Sequence, residues 1–299
     1  MPTANNTSKV KLPSDVVTTV INKVKDTSTI AKLCPSTPQK FNDTTYLIFN
    51  PTSEAEVVAE GQKKGVYYID TKPIVGKRVK IVTTTRVSDE LKWADEDNQL
   101  EIIDNIQSDQ TAAIARALDY VIYHGINPKT GEVMDGYTPL TTEAVQVTED
   151  AKGDVTKDID ALTDALIDYN FGAMALSRAY ASKMRKLRVQ STGQRLYPEI
   201  PLSLNAGSVD GIDAVVSNTV SGRLAKTPTG VDAILGDFSM IKWGMVRDMW
   251  AEVIEYGDPD GSGNDLKACN EVAYRTEAMF AFAVIDPKAF AVLKAGAGA

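Results

Sequence analysis

Two alternating stretches dominate the first third of the chain. Glu54, Glu56 and Glu60 alternate with Ala55, Val57 and Ala59, and further on Arg78, Lys80 and Arg86 alternate with Val79, Ile81, Thr83 and Val87. A period of two is the mark of a half-buried strand. Antiparallel pairing would lay an acidic row beside a basic row in a hairpin over residues 53–91, with arms of about ten residues reaching roughly 33 Å. Such a hairpin buries little of its own and is marginal in water. The pattern therefore predicts support from the rest of the chain or from another subunit.

The period then changes. Leu100, Ile103, Ile106, Ile114, Ala117 and Val121 fall on one stripe between residues 97 and 124, which predicts a spine helix of about 40 Å at the usual rise. Asp95, Glu96 and Asp97 favour its start, and Gly125 ends it. Ahead of the hairpin, Ser14 is a good N-cap for an amphipathic arm carrying Val16, Val17, Val20, Ile21 and Val24, followed by a Pro-containing linker over residues 34–38. Behind the spine lie a Gly/Pro/Asn loop at 125–139 and a polar boundary at 141–158. A strand at 171–176, a helix at 177–187, a turn at 191–193 and a strand at 212–216 follow, while residues 241–256 fit helix or strand equally.

Composition narrows the function by exclusion. With 299 residues and 43% hydrophobic content, the chain can build one or two ordinary cores. Residues 1–11 are polar, and the longest apolar run, 278–285, is too short to span a bilayer, so no export or membrane role is expected. Cys34 and Cys269 form no ligand-spaced pair, which argues against zinc and for a reducing compartment. A net charge of −8 argues against a protein that grips phosphates. Lys63, Lys64, Lys72, Lys77, Arg78 and Lys80 do cluster around the hairpin, but no aromatic ladder interleaves them, and a solvated or salt-bridged face is expected.

Candidate chemistry is sparse. His124 is the single histidine and sits at the end of the spine, where an interaction with the helix dipole or a capping role is expected before catalysis. No GxSxG, HExxH, GxxxxGK[ST] or GxGxxG occurs. Residues 258–264, Asp-Pro-Asp-Gly-Ser-Gly-Asn, mimic the start of a calcium loop. Cys269 stands where the twelfth-position glutamate belongs and Glu271 comes two residues late, so a solvated turn is expected. No catalytic, cofactor or metal residue is assigned.

Three early segments carry a resemblance: residues 55–61 (AEVVAEG), residues 86–91 (RVSDEL), and the spine with its Gly125-Ile126-Asn127-Pro128 loop. Residues 235–239 (LGDFS), Arg275 with Glu277, and residues 283–290 (AVIDPKAF) follow in order. Together they resemble the major capsid protein family of tailed bacteriophages. The resemblance implies an α+β protein of the Hong Kong-type or Johnson capsid fold. Its parts would be an N-arm (1–33), the start of the peripheral domain (34–50), an E-loop hairpin (51–91), the peripheral domain with its spine (92–148), an axial domain (149–268) and a return to the peripheral domain (269–299). Residues 241–256 would then be mostly strand.

It implies a non-enzymatic shell protein that assembles with copies of itself, as hexamers and pentamers, around a viral genome bound without sequence specificity. A separate scaffolding protein, a portal and decoration proteins would be partners, and assembly would take place in the host bacterial cytoplasm. Glu54, Glu56, Glu60, Arg78 and Lys80 would make E-loop contacts. Some relatives join an E-loop lysine to a neighbour's asparagine with a glutamate as base, and Lys72, Asn270 and Glu277 are the matching candidates here. The plainer alternative is a surface lysine and a structural Glu277 beside Arg275. The rival functions are an encapsulin-type nanocompartment shell and, from another class, a cytoplasmic hydrolase using paired carboxylates.

Overall fold

The computed structural model describes residues 28–37, 45–49, 57–64, 71–98 and 102–296. The amphipathic stripe around Ser14, and Glu54 and Glu56, lie outside the described residues. A single turn, α1 (Ile30–Leu33), precedes β1 (Thr45–Phe49) and β2 (Thr71–Val75). β3 (Lys77–Ser88), α2 (Asp89–Asn98) and α3 (Ile102–Asp119) follow, and α3 widens into a π-helical turn at Tyr120–His124. Next come α4 (Leu140–Glu143), β4 (Val145–Thr148), α5 (Val155–Asp164), β5 (Ala173–Leu176) and α6 (Arg178–Lys186). β6 (Ser208–Val209), β7 (Ile212–Val216) and β8 (Val231–Gly236) lead to β9 (Ile241–Ile254), β10 (Glu271–Val284) and β11 (Phe290–Lys294).

The basic arm has a different partner from the one its charges suggest. The hairpin ladder is β1 with β2, Thr45 opposite Val75, so the first arm begins inside the stretch expected to open the peripheral domain. β3 pairs instead along its whole length with β10, placing Arg78 opposite Ala281, Lys80 opposite Met279 and Arg86 opposite Ala273. The reason lies on the other face of β3. Val79 and Val87 are buried and need an apolar neighbour, which β10 and the spine supply and an arm of alternating glutamates cannot. Glu60 lies in a turn, where Gln62 N–H donates to the Ala59 carbonyl at 3.1 Å.

The expected spine falls on two described helices, α2 and α3, with residues 99–101 between them outside the described residues. The Asp95 carboxylate of α2 accepts from Ile102 N at 2.8 Å and Ile103 N at 3.2 Å. Asp95 thus does favour the start of α3, by taking up N–H groups of its first turn.

Among the described residues the remaining strands form a three-stranded sheet, β3-β10-β9, and a six-stranded sheet, β4-β11-β8-β5-β7-β6. β9, within residues 149–268, hydrogen-bonds to β10, whereas β4 and β11, from either side of that segment, lie in the six-stranded sheet. Backbone pairing outweighs proximity in sequence here, because β4 and β11 close an edge that no strand of the intervening segment covers.

The six-stranded sheet is buried through its centre. Ala173, Ala175, Val231, Ile234, Phe290 and Val292 face the core shared with the spine, and Met174, Leu176, Ala233, Leu235, Ala291 and Leu293 face α5 and α6. A Cβ on Gly236 would stand 2.5 Å from Phe290 Cδ1 and 2.6 Å from the Ala289 carbonyl, so only glycine permits this β8–β11 approach. The three-stranded sheet is covered on one face. Gln110 of α3 locks that face, donating to Thr85 Oγ1 and to the Tyr274 carbonyl at 2.9 Å each and accepting from Thr276 Oγ1 at 2.7 Å.

Candidate assembly surfaces

The uncovered face of the three-stranded sheet follows from register. Arg78, Lys80, Val82 and Thr84 of β3 share it with Met279, Glu277 and Arg275 of β10 and with Arg247, Trp250 and Glu252 of β9. Lys80 Nζ lies 2.7 Å from Glu277, its diagonal neighbour, and 5.9 Å from the centre of the Trp250 ring. The Arg247 guanidinium covers the same ring at 4.3 Å. A spacing of three would put Arg247 and Trp250 on opposite faces of a regular strand. A register shift between Glu277 and Met279 adds a residue to β9 and brings them together.

The predicted residues separate on this frame. Glu277 pairs with Lys80, while Arg275, two residues before it on the same face, hydrogen-bonds Thr84 Oγ1 at 3.2 Å and the Pro259 carbonyl at 2.8 Å. Lys72 pairs through its backbone with Ile48 in the hairpin. Asn270 is exposed in the left-handed region at φ 52°, beyond the opposite end of β10, where Glu271 faces Ser88 and Phe282 faces Lys77. A strand of that length spans roughly 35 Å. Any Lys72–Asn270 bond would therefore join two subunits.

The Arg86 side chain, only 7% exposed, turns back to the loop at 258–264. It donates to Asp258 Oδ1 at 2.6 Å, to Asp260, to Glu271 Oε2 at 3.3 Å and to the Asn264 carbonyl at 3.1 Å. The loop is the exposed turn expected, and its carboxylates close over a buried cation. Burial opposes the charge on Asp260, but hydrogen bonds led by Arg86 hold its carboxyl down at about 2.

A second buried joint has the opposite polarity. Asp119, fully buried at the end of α3, accepts from Ser28 Oγ at 2.5 Å, Thr29 N at 2.7 Å, Thr29 Oγ1 at 3.0 Å, Ile30 N at 3.3 Å and Thr219 Oγ1 at 2.6 Å. It caps α1 together with Ser28 Oγ, which accepts from Ala31 N at 3.1 Å, and so roots the N-terminal segment on the spine. Burial pushes its carboxyl up, and the hydrogen bonds from Ser28, Thr219 and Thr29 pull the other way. No sequence signal marks this residue, because a lone aspartate on a helix reads as a solvated position.

His124 closes the spine from inside. Its Nε2–H donates to the Thr219 carbonyl at 3.0 Å, which fixes the tautomer, and burial holds its pKa below the ordinary value. It is therefore neutral at pH 7 and supplies no counter-charge to the helix dipole, the first of the two roles expected of it. Among the described residues no group of three or more His, Cys, Asp or Glu side chains is arranged to hold a metal ion, and no helix is long and apolar enough to cross a membrane.

A spine helix over a three-stranded sheet, a two-stranded hairpin running out of it and a buried six-stranded sheet define a Hong Kong-type capsid fold. The phage capsid family matches residues 9–295, and the chain belongs to that family. A solved chain from Mycobacterium phage Ogopogo is 32% identical with a TM-score of 0.84, covering 98% of this chain and 100% of that one. One from Gordonia phage Cozz is 28% identical at a TM-score of 0.80, covering 96% and 92%. The capsid of an empty GTA particle, 14% identical at a TM-score of 0.64 and covering 97% of each chain, shares the fold alone. Comparison with curated protein sequences gave no match.

The protein is a phage major capsid protein, a structural subunit of the virion shell that associates with copies of itself. The family match sets aside the encapsulin-type shell and the carboxylate-dependent hydrolase.

Proposed function

We propose that the subunit builds its shell, as hexamers and pentamers around packaged DNA, by seating the hairpin tip of one copy on a neighbour's charged sheet face. The observation that supports this most directly is the tip itself: Val57 is fully exposed and residues 57–64 carry no strand pairing. Glu54, Glu56 and Glu60 would meet a neighbour's Arg78 and Lys80, which line an open groove of about 520 Å³ with Val75, Lys77 and Met279. Many weak contacts of this kind, closed by symmetry, add up to a stable shell. On this reading the spine layer is the peripheral domain and the six-stranded layer the axial one. The net charge of −8 suits a container that does not grip its DNA.

The same reading has no enzymatic step and takes scaffold, portal and decoration proteins as separate chains that meet it in the host cytoplasm. Replacing residues 57–64 with a Gly/Ser linker tests it. The expected result is a subunit with unchanged melting temperature that forms no particles in negative-stain microscopy. Normal shells from that variant would overturn the assignment. Glu277 is already engaged by Lys80 of its own subunit, and boiled shells should run in detergent as one 32.4 kDa band. A ladder of multimers would instead assign Lys72 and Asn270 to an inter-subunit cross-link.

A further inference from the structure

The loop at 258–264 follows calcium-loop spacing more closely in space than in sequence. Asp258, Asp260 and Ser262 take the first, third and fifth positions, and Gly263 takes the sixth at φ 84°, the sharp turn that such loops reserve for glycine. Gly263 N–H donates to Asp258 Oδ2 at 2.6 Å. Asn264, in seventh place, turns its main-chain carbonyl inward, which is the ligand a calcium loop draws from that position. A 3₁₀ turn at Lys267–Cys269 and the left-handed Asn270 then bring Glu271 round to the cage, although it is two residues late in sequence.

Where a metal would stand there is a guanidinium. Arg86 Nη2 donates to Asp258 Oδ1, to Asp260 Oδ1 and, at 3.1 Å, to the Asn264 carbonyl, while Nη1 donates to that carbonyl and to Glu271 Oε2. We infer that Arg86 occupies the cation position of a calcium-loop cage, which is thereby closed without metal and takes calcium once the guanidinium is removed. The charge fits: three carboxylates and a carbonyl around one buried cation become three uncompensated carboxylates without it. The geometry fits as well. A planar guanidinium spreads its donors over two nitrogens and holds the carboxylates further apart than a point ion would. With Arg86 in place the carboxylates consequently do not converge on a metal. The smaller Mg²⁺ demands near-octahedral geometry and should not substitute.

The test is thermal melting of the full chain and of Arg86→Thr in EDTA, in calcium chloride and in magnesium chloride. The wild-type melting temperature should be the same in all three. Arg86→Thr should melt about 10 °C lower in EDTA and regain at least half of that loss in about 10 mM calcium, with no gain in magnesium. Adding Asp258→Asn and Asp260→Asn to Arg86→Thr should abolish the regain. A variant indifferent to calcium, or a wild type that gains as much, would overturn the inference. If Arg86→Thr does not fold in EDTA, refolding from urea takes over as the readout: recovery of the far-ultraviolet dichroism in calcium alone supports the cage, and failure in both conditions refutes it.

Discussion

The two larger sheets use the same alternation to opposite ends. In the six-stranded sheet both parities of β5, β8 and β11 are apolar and both faces are covered, one by the spine and the other by α5 and α6. In the three-stranded sheet one parity is largely apolar and packs on the spine, while the other carries Lys80 and Arg247 in the open beside a half-buried Trp250 and a buried Glu277. Stability is concentrated in the first and contact-making capacity in the second. A sheet that leaves a charged, aromatic face uncovered has a surface to offer a neighbour; a sheet buried on both sides does not.

That contrast can be broken most forcefully at Phe290, fully buried and set edge-on against Phe238 at 5.5 Å. Phe290→Ala should cost about 3–5 kcal/mol, read as a lower denaturation midpoint; a loss below about 1 kcal/mol would deny the six-stranded sheet its role as the seat of stability. Gly236→Ala should cost about 1–3 kcal/mol in the same assay, because β8 and β11 must part to admit a methyl group. On the open face, Arg247→Ala with Trp250→Ala should change monomer stability by about 1 kcal/mol or less. The yield of shells on a sucrose gradient should nonetheless fall sharply, and an unchanged yield would show that this face is not a contact.

The smallest effect is expected from pH at the Arg86 loop. Asp260 is held below its ordinary value of 3.8, so its contribution to stability is full above about pH 4 and is lost as pH falls through about 2. Asp260→Asn should flatten that acid limb of the melting profile and leave the curve between pH 5 and 8 in shape. An acid limb of the same steepness in the variant would assign the effect elsewhere.

Local features were legible in the sequence; meetings between distant segments were not. The strand at 212–216 forms with those bounds, and the helix expected at 177–187 runs over Arg178–Lys186 with Ser177 capping it through Tyr180 N at 3.0 Å. Each owes its form to neighbours a few residues away. The partner of β3 lies about 190 positions downstream, and charge complementarity pointed to the nearer glutamates instead. Arg86 and the calcium-like loop were both visible, but their meeting depends on β10 bringing Ala273 opposite Arg86. Arg247 and Trp250, three apart, have the spacing of helix neighbours, and only the bulge in β9 makes them neighbours in a strand. The resemblance supplied the order of parts and their names, and the sheet memberships of β4, β9 and β11 still had to come from backbone pairing.

The joint at Asp119 also dictates an order of events during synthesis. Its donors lie 89 to 91 residues before it, at Ser28, Thr29 and Ile30, and 100 residues after it, at Thr219. On the ribosome the carboxylate emerges with its upstream partners already made and its downstream one still to be translated. Until Thr219 arrives, water must supply the missing hydrogen bond, and the end of the spine cannot be fully dried. The root of the N-terminal segment is thus sealed only after more than two thirds of the chain has been made, which ties readiness for assembly to near-completion of the polypeptide.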